Sequence, residues 1–417
     1  MDPTSTRLAS STVGLQPGSS YFKLTLPADF NDSTYSIRAV DTDGSGNVYM
    51  TGRYTGVSNS VYVIKAKSDG TFVWGKRVTD SGELEPQNIF CYGTSIIVLG
   101  IRKATTPWQS YWWKFDAAGN LTTQKSYGDG SNNYVGWDFA DINSSNGTVI
   151  GNSIYDSGYG YIQVDINGTL EYAKTTTPAS TYFAYYGGCC MDSSGNVYQV
   201  GRSQRDGSWP PYDMNGWVTK WNSSGVKQWQ NWWGFTSTTY SGWSSPAVDA
   251  DDNLYVLDNN PERTSQLVKM NPSGTVTATW NSPSPVVTRY RFDSNNNMWG
   301  YDGASWAAWN SSKTGILRFS ETNLHYQINI DEAAGVVQMV GKSGRLWSVP
   351  SDFSLTGSSG TSWTYTTTTP ANWSTATLGM PSISNPNSHS FGNRSTTTTT
   401  TSLTVAAVTP TLTPDPI

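Results

Sequence analysis

One phrase recurs along this chain. Gly-Asn-Val-Tyr, followed after two residues by Gly-Arg, occurs from Gly46 and again from Gly195. Weaker versions start at Ser95 ("SIIVLG"), Asn146 ("NGTVIG"), Asn253 ("NLYVLD"), Asn297 ("NMWGYD") and Val336 ("VVQMVG"). Counted with Asn47 and Asn196, the seven copies begin 39 to 57 residues apart. A fixed period of that size marks a supersecondary unit that buries its apolar faces only by stacking on its neighbours.

Each copy carries a second half. "VYVIKAKSDGTFVW" follows the first copy, "YWWKFDAAGNLTTQ" the second and "YIQVDINGTLEYA" the third; "GWVTKWNSSGVKQW" and "SQLVKMNPSGTVTA" follow the fourth and fifth. Each reads as a short strand, a polar turn ending in Gly, and a second strand. Turns such as "KSDG" and "NSSG" suit a type I turn closed by a left-handed glycine, which joins antiparallel strands tightly. Upstream, "RAVDTDGSGN" and "PAVDADDN" place an apolar strand and an Asp-rich turn before the recurring phrase. One unit is therefore four strands, a–b–c–d, with tight a–b and c–d turns. Trp (19) and Tyr (24) are abundant and favour strands, while 40 Gly supply turns. Seven four-stranded meanders around an axis cover one another's faces and leave only short edges. The expected fold is all-β, a seven-bladed β-propeller over residues 20–370, with the Tyr of the phrase between blades and its Gly at a crowded point.

The pattern D-x-x-G-N-x-Y-x-x-G, followed by a strand with Lys, a turn Gly and Trp, resembles the bacterial β-propeller repeat. "DSSGNVYQVG" with "WVTKWNSSGVKQW" carries the likeness best; blades one and four match well, blade five in part, the others in outline. The resemblance implies the fold and leaves function open, because propellers host enzymes, scaffolds and binders alike.

The ends read differently. Residues 1–19 form an N-terminal arm. "SSYFKLTLPADF" (19–30) reads as a stray strand d, expected to close the ring by pairing Tyr21–Leu26 with the last blade near Thr361–Tyr365. Residues 371–417 are Thr/Pro-rich and of low complexity. This tail is expected to leave the disc and dock on another chain by β-augmentation.

Composition excludes several functions. Net charge is -5 without a long basic run, which argues against nucleic acid. No apolar run approaches the ~18 residues of a spanning helix, and no apolar signal segment is visible near Met1. Three Cys make no disulfide framework, and adjacent Cys189 and Cys190 make a poor metal pair. Two His, His325 and His389, leave no His-rich metal site, and His325 lacks the motifs of a nucleophilic triad. "DTDGSGN" lacks the Glu at the twelfth position of a calcium loop. Paired carboxylates of the glycosidase kind remain open, although most Asp fall in the repeated turns. The expectation is a non-enzyme without metal or cofactor.

The remaining signal is aromatic. In an antiparallel blade the a–b and c–d turns share one face of the disc, and the b–c and d–a loops share the other. The latter are long, variable and aromatic: Trp108, Tyr155 and Tyr159, Trp209 and Tyr212, then Trp232, Trp233, Tyr240 and Trp243. Loops of this kind on a rigid scaffold are where binding resides. Trp108, Trp209, Tyr212, Trp233, Tyr240 and Trp243 are the candidate ligand-binding residues, with sugars the fitting ligand. Charged residues make up only 14% of the chain, against about 25% in an average domain. With the Ser/Thr/Asn-rich surface and the Thr/Pro tail, this texture resembles marine bacteriophage structural and tail-fibre proteins. The resemblance implies a virion protein held to other virion proteins by its termini and presenting the disc to host-surface glycans. A bacterial exported adhesin and a polysaccharide-active enzyme are the alternatives.

Overall fold

The structure, a computed structural model, describes residues 22–26 and 37–352, apart from segments at 55–59, 80–82, 103–108, 129–133, 156–157, 178–183, 205–213, 234–242, 259–264, 283–286, 288, 302–304, 321–323 and 342–344. These are the b–c and d–a connections. Beyond 352 it describes seven short strands between Thr366 and Pro416.

Blade one is built from Ala39–Thr42, Val48–Tyr54, Ser60–Ala66 and Phe72–Thr79, paired in that order. Blades two to six repeat the order from Leu84, Tyr134, Ala184, Trp243 and Arg289. Every recurring phrase supplies strand b. Blade seven takes Leu324–Asp331, Val336–Gly341 and Arg345–Pro350 from one end of the chain, and Phe22–Thr25 from the other as strand d. The chain is a seven-bladed β-propeller. Its closing strand sets Phe22 opposite Ser348 and Thr25 opposite Arg345. Thr361–Tyr365, the expected partner, lies outside the described residues. The closing strand's second edge is occupied by Thr413–Pro416, so both edges are filled without it.

The tail departs from expectation. It does not leave the disc: its described strands pair with this chain's own blades. Thr366–Thr368 adds to blade six, Ser374–Thr375 to five, Ser382–Ile383 to four and Ser390–Asn393 to three. Thr397–Thr399 then adds to two, Thr404–Val408 to one and Thr413–Pro416 to seven. The tail is a strap around the rim, one short strand per blade. The physical reason is that each strand d offers an unpaired edge. An edge on the same chain is present at far higher effective concentration than one on a partner.

Each interface between blades holds one apolar cluster. Tyr49 and Val63 of blade one pack with Val98 and Trp113 of blade two. Equivalent clusters join two to three, three to four, four to five, five to six and six to seven. The ring closes through Leu26, Val340 and Leu346 against Val48, Met50 and Tyr62. Each fully buried side chain of this kind contributes about 1.5–3 kcal/mol. The glycine of the phrase permits the packing: a Cβ on Gly151 would lie 2.2 Å from the Trp137 ring.

The recurring Asp organises its turn. Asp43 Oδ1 accepts the Ser45 and Asn47 N–H groups, the Asn47 amide donates to its carboxylate, and the Tyr49 hydroxyl donates to Oδ2 at 2.9 Å. In blade four, Asp192 accepts from Ser194 and Asn196. It also sits 3.3 Å from Lys220 Nζ, which lies 4.8 Å from the Tyr198 ring centre. The phrase is therefore an Asp–Asn–Tyr box completed by a Lys from strand c. Asp192→Ala leaves the buried Lys220 ammonium without its carboxylate and is expected to cost about 3 kcal/mol in urea unfolding. Asp116→Ala, in the exposed c–d turn of blade two, is expected to cost no more than about 1.5 kcal/mol. Equal losses at the two positions would contradict this ranking.

Candidate functional site

The a–b and c–d turns crowd one face of the disc, and their polar groups are used internally. Asp69, Asp116, Asp165, Asn222 and Asn271 each accept backbone N–H groups of their own turn. Neighbouring turns are also tied together. Asp252 accepts the Ser193 N–H at 2.8 Å and its hydroxyl at 2.6 Å. Asn296 accepts the Ala250 N–H and donates to Asp251, and Glu332 accepts the Ser294 N–H. Asp252 and Asn296 occupy left-handed backbone (φ 60 and 62), where glycine stands in several other turns. Their side chains account for the exchange.

At the c–d turn of blade six the left-handed residue is Lys313 (φ 64), and its side chain is wholly inaccessible. Its ammonium lies 5.1–5.4 Å from the ring centres of Tyr255, Phe292 and Trp280. Burial, then the nearby Lys269, pulls its pKa down to about 8 against the attraction of Asp249. This cation seals the seam between blades five and six.

The opposite face receives every b–c and d–a connection, because both lead from strand ends opposite the tight turns. Trp108, Trp209, Tyr212 and Tyr240 lie outside the described residues. Trp243 opens strand a of blade five, with Asp258 as its cross-strand partner. Trp233 does not belong to a ligand-facing surface. It is 4% exposed and packs with Tyr198, Val256 and Met270 between blades four and five. Strand d of blade four continues to Trp233, whose cross-strand partner is Gly216. Cross-strand partners share a face of the sheet, so the absent side chain leaves room for the indole. Trp232 is buried too, 6.3 Å from Trp217.

The strands a line the axis, and those of blades one to four are bonded each to the next. Cys91 N–H donates to Asp41 Oδ2 at 2.7 Å, and Met191 N–H to Asp141 Oδ2 at 2.9 Å. Trp137 N–H donates to Gln87 Oε1 at 2.6 Å, and Cys189 Sγ to the Phe139 carbonyl. Strands a of blades two, three, four, five and seven are bulged along their pairing with strand b. Bulges of this kind re-aim side chains. Between them lies an axial hollow of about 30 Å³, lined by Phe139, Cys189, Ser245, Arg289 and Arg291 among others. The Arg289 guanidinium of blade six crosses the ring and lies 4.5 Å from the Phe139 ring centre of blade three.

Cys190, on strand a of blade four, is not set up as a nucleophile. Burial, with Asp141 adding to it, pushes the Cys190 thiol well up, so it stays protonated. His325 falls in strand a of blade seven, and His389 lies outside the described residues. Among the described residues no three of His, Cys, Asp and Glu gather as metal ligands would.

No protein-family model matches this sequence, and no curated protein matches it. Among solved structures, the Dos1 propeller is similar over 75% of this chain and 77% of its own, at 10% identity and a TM-score of 0.46. A gluconolactonase from Xanthomonas campestris is similar over 66% of this chain and 94% of its own, at 10% identity and a TM-score of 0.34.

Trp233→Ala is expected to lower stability by about 3–5 kcal/mol, as truncation of a core Trp does. Chemical denaturation checks this. A loss below about 1 kcal/mol would return Trp233 to the ligand-facing candidates.

Proposed function

We propose that this propeller is a non-enzymatic structural protein of a bacteriophage particle, presenting its loop-bearing face to a host-surface glycan. The observation that carries the reading is the inequality of the two faces. One face is a set of short, uniform turns whose carboxylates and amides are already bonded to their own or the adjacent turn. The other takes all the connections that vary in length and hold Trp108, Trp209, Tyr212 and Tyr240. A rigid ring with variation confined to one side suits recognition. Indole and phenol faces flanked by Asn, Ser and Asp suit the apolar ring faces and hydroxyls of sugars.

The strap supports display on a particle. It pairs every outer strand and ends beside the closing strand on blade seven, so Phe22–Thr25 and Thr413–Pro416 lie side by side. Contacts made by these two strands with other virion proteins would therefore act at one place on the rim. A disc held at its rim leaves both faces open.

The test has two readouts. Antibody against the chain is expected to label purified phage particles in electron micrographs. The isolated protein is expected to bind host cells or a defined glycan, several-fold more weakly after Trp209→Ala or Tyr212→Ala. Absence of the protein from every particle, or turnover of a polysaccharide by the pure protein, would overturn the reading.

A further inference from the structure

We infer that the closing seam, between blades seven and one, binds one small monovalent cation, sodium or potassium, at Asp331. The repeat supplies the comparison. In blades one, four and five an Asp opens the a–b turn, and a Lys of strand c reaches it. Lys65 lies 3.8 Å from Asp43, Lys220 3.3 Å from Asp192 and Lys269 3.1 Å from Asp249. Each ammonium also lies over the Tyr of strand b, Tyr49, Tyr198 or Tyr255. A carboxylate withdrawn from water is matched by a positive charge in all three.

Register puts Asp331 at this position in blade seven. It follows Ile330, the partner of Val337, as Asp43 follows Thr42, the partner of Val48. Blade one then pairs Tyr49 with Lys65, and blade seven pairs Gln338 with Ser348. The amide is also missing from the turn. Asn47, Asn196, Asn253 and Asn297 each donate to their Asp, whereas residues 332–336 read Glu-Ala-Ala-Gly-Val. Blade six has Ala308 in place of the Lys, but there Asn297 holds Asp293. Asp331 is 4% exposed. Its Oδ1 accepts the Ala334 N–H at 3.0 Å, and its buried Oδ2 has no hydrogen-bond partner among the described residues. A buried carboxylate is tolerated when a cation or a full set of donors meets it.

Neutral oxygens gather on the same side of the blade. Asn329 stands two residues before Asp331 and so projects to the same side of strand a. Its Nδ2 donates to Gln338 Oε1 at 3.0 Å and to Thr42 Oγ1 of blade one at 3.1 Å. One nitrogen touching both sets these two oxygens side by side. Ser348, the cross-strand partner of Gln338, adds a buried hydroxyl. Oxygen donors select a hard cation. A single carboxylate among them matches one positive charge, whereas calcium sites gather several carboxylates. Gln and Ser are smaller than Tyr and Lys, which leaves room for an ion where the other blades place an ammonium.

Thermal unfolding tests this as sodium or potassium chloride replaces choline chloride at fixed ionic strength. Choline carries the same charge and is too large for the seam. The wild-type melting temperature is expected to rise by about 2 °C or more, because the folded ring alone binds the ion. Asp331→Asn should lose the rise. Ser348→Lys, which returns an ammonium to its place, should lose it too, while melting in choline no lower than wild type. Asp116→Asn, in an exposed turn, should keep it. Should a variant fail to fold, the sodium NMR resonance decides. Saturable broadening by the native wild-type protein supports the site, and none overturns it. No rise in either salt, an equal rise in folded Asp331→Asn, or a response to calcium chloride alone also overturns it.

Discussion

Every blade of this ring covers its apolar faces only with its two neighbours, so burial everywhere depends on closure at one seam. That seam is a pairing of an early strand with the last blade, Phe22–Thr25 against Arg345–Ser348. Leu26, just beyond the closing strand, enters the cluster between blades seven and one. Without this contact two blades would present large apolar surfaces to water, and blade seven would have a bare edge. The strap repeats the closure on the outside, since its last strand lies on the closing strand itself. Phe22–Thr25 and Thr413–Pro416 are therefore committed to the same blade.

Between seams, the ring is held by polar groups placed where the turns meet. The Asp–Asn–Tyr–Lys box fixes the a–b turn and lays a ring against the next blade. Indole N–H groups of strand d reach the following c–d turn, Trp74 to the Ala117 carbonyl and Trp229 to that of Pro272. Such bonds are individually modest, about 1 kcal/mol, but they recur and fix how far each blade rotates from the last. A scaffold fixed on one face frees the connections on the other to vary, which is the basis of the proposed display role.

The fold was legible because its turns demand particular residues. Gly46 and Gly195 are left-handed, and Asp43 and Asp192 bond the N–H groups that follow. The phrase blurs in blades five and six because Asp252 and Asn296 replace that glycine and bond the adjacent turn instead. The strap was not legible. Its strands are two to five residues long and pair through the main chain, so they carry no alternating pattern to read. Trp233 was misplaced because two adjacent Trp before a Gly read as loop, while cross-strand Gly216 makes one of them core. The axial hollow gave no signal either. It arises from bulges and from residues of separate blades that meet only when the ring closes.

Closure is tested most directly by urea unfolding of the chain lacking residues 1–27. The account predicts a loss of more than about 3 kcal/mol, from the exposed faces of two blades. It also predicts a reduced dependence on urea, because less surface remains buried in the folded ring. An unchanged midpoint and slope would contradict it, and would mean that blade seven is complete without the N-terminal strand.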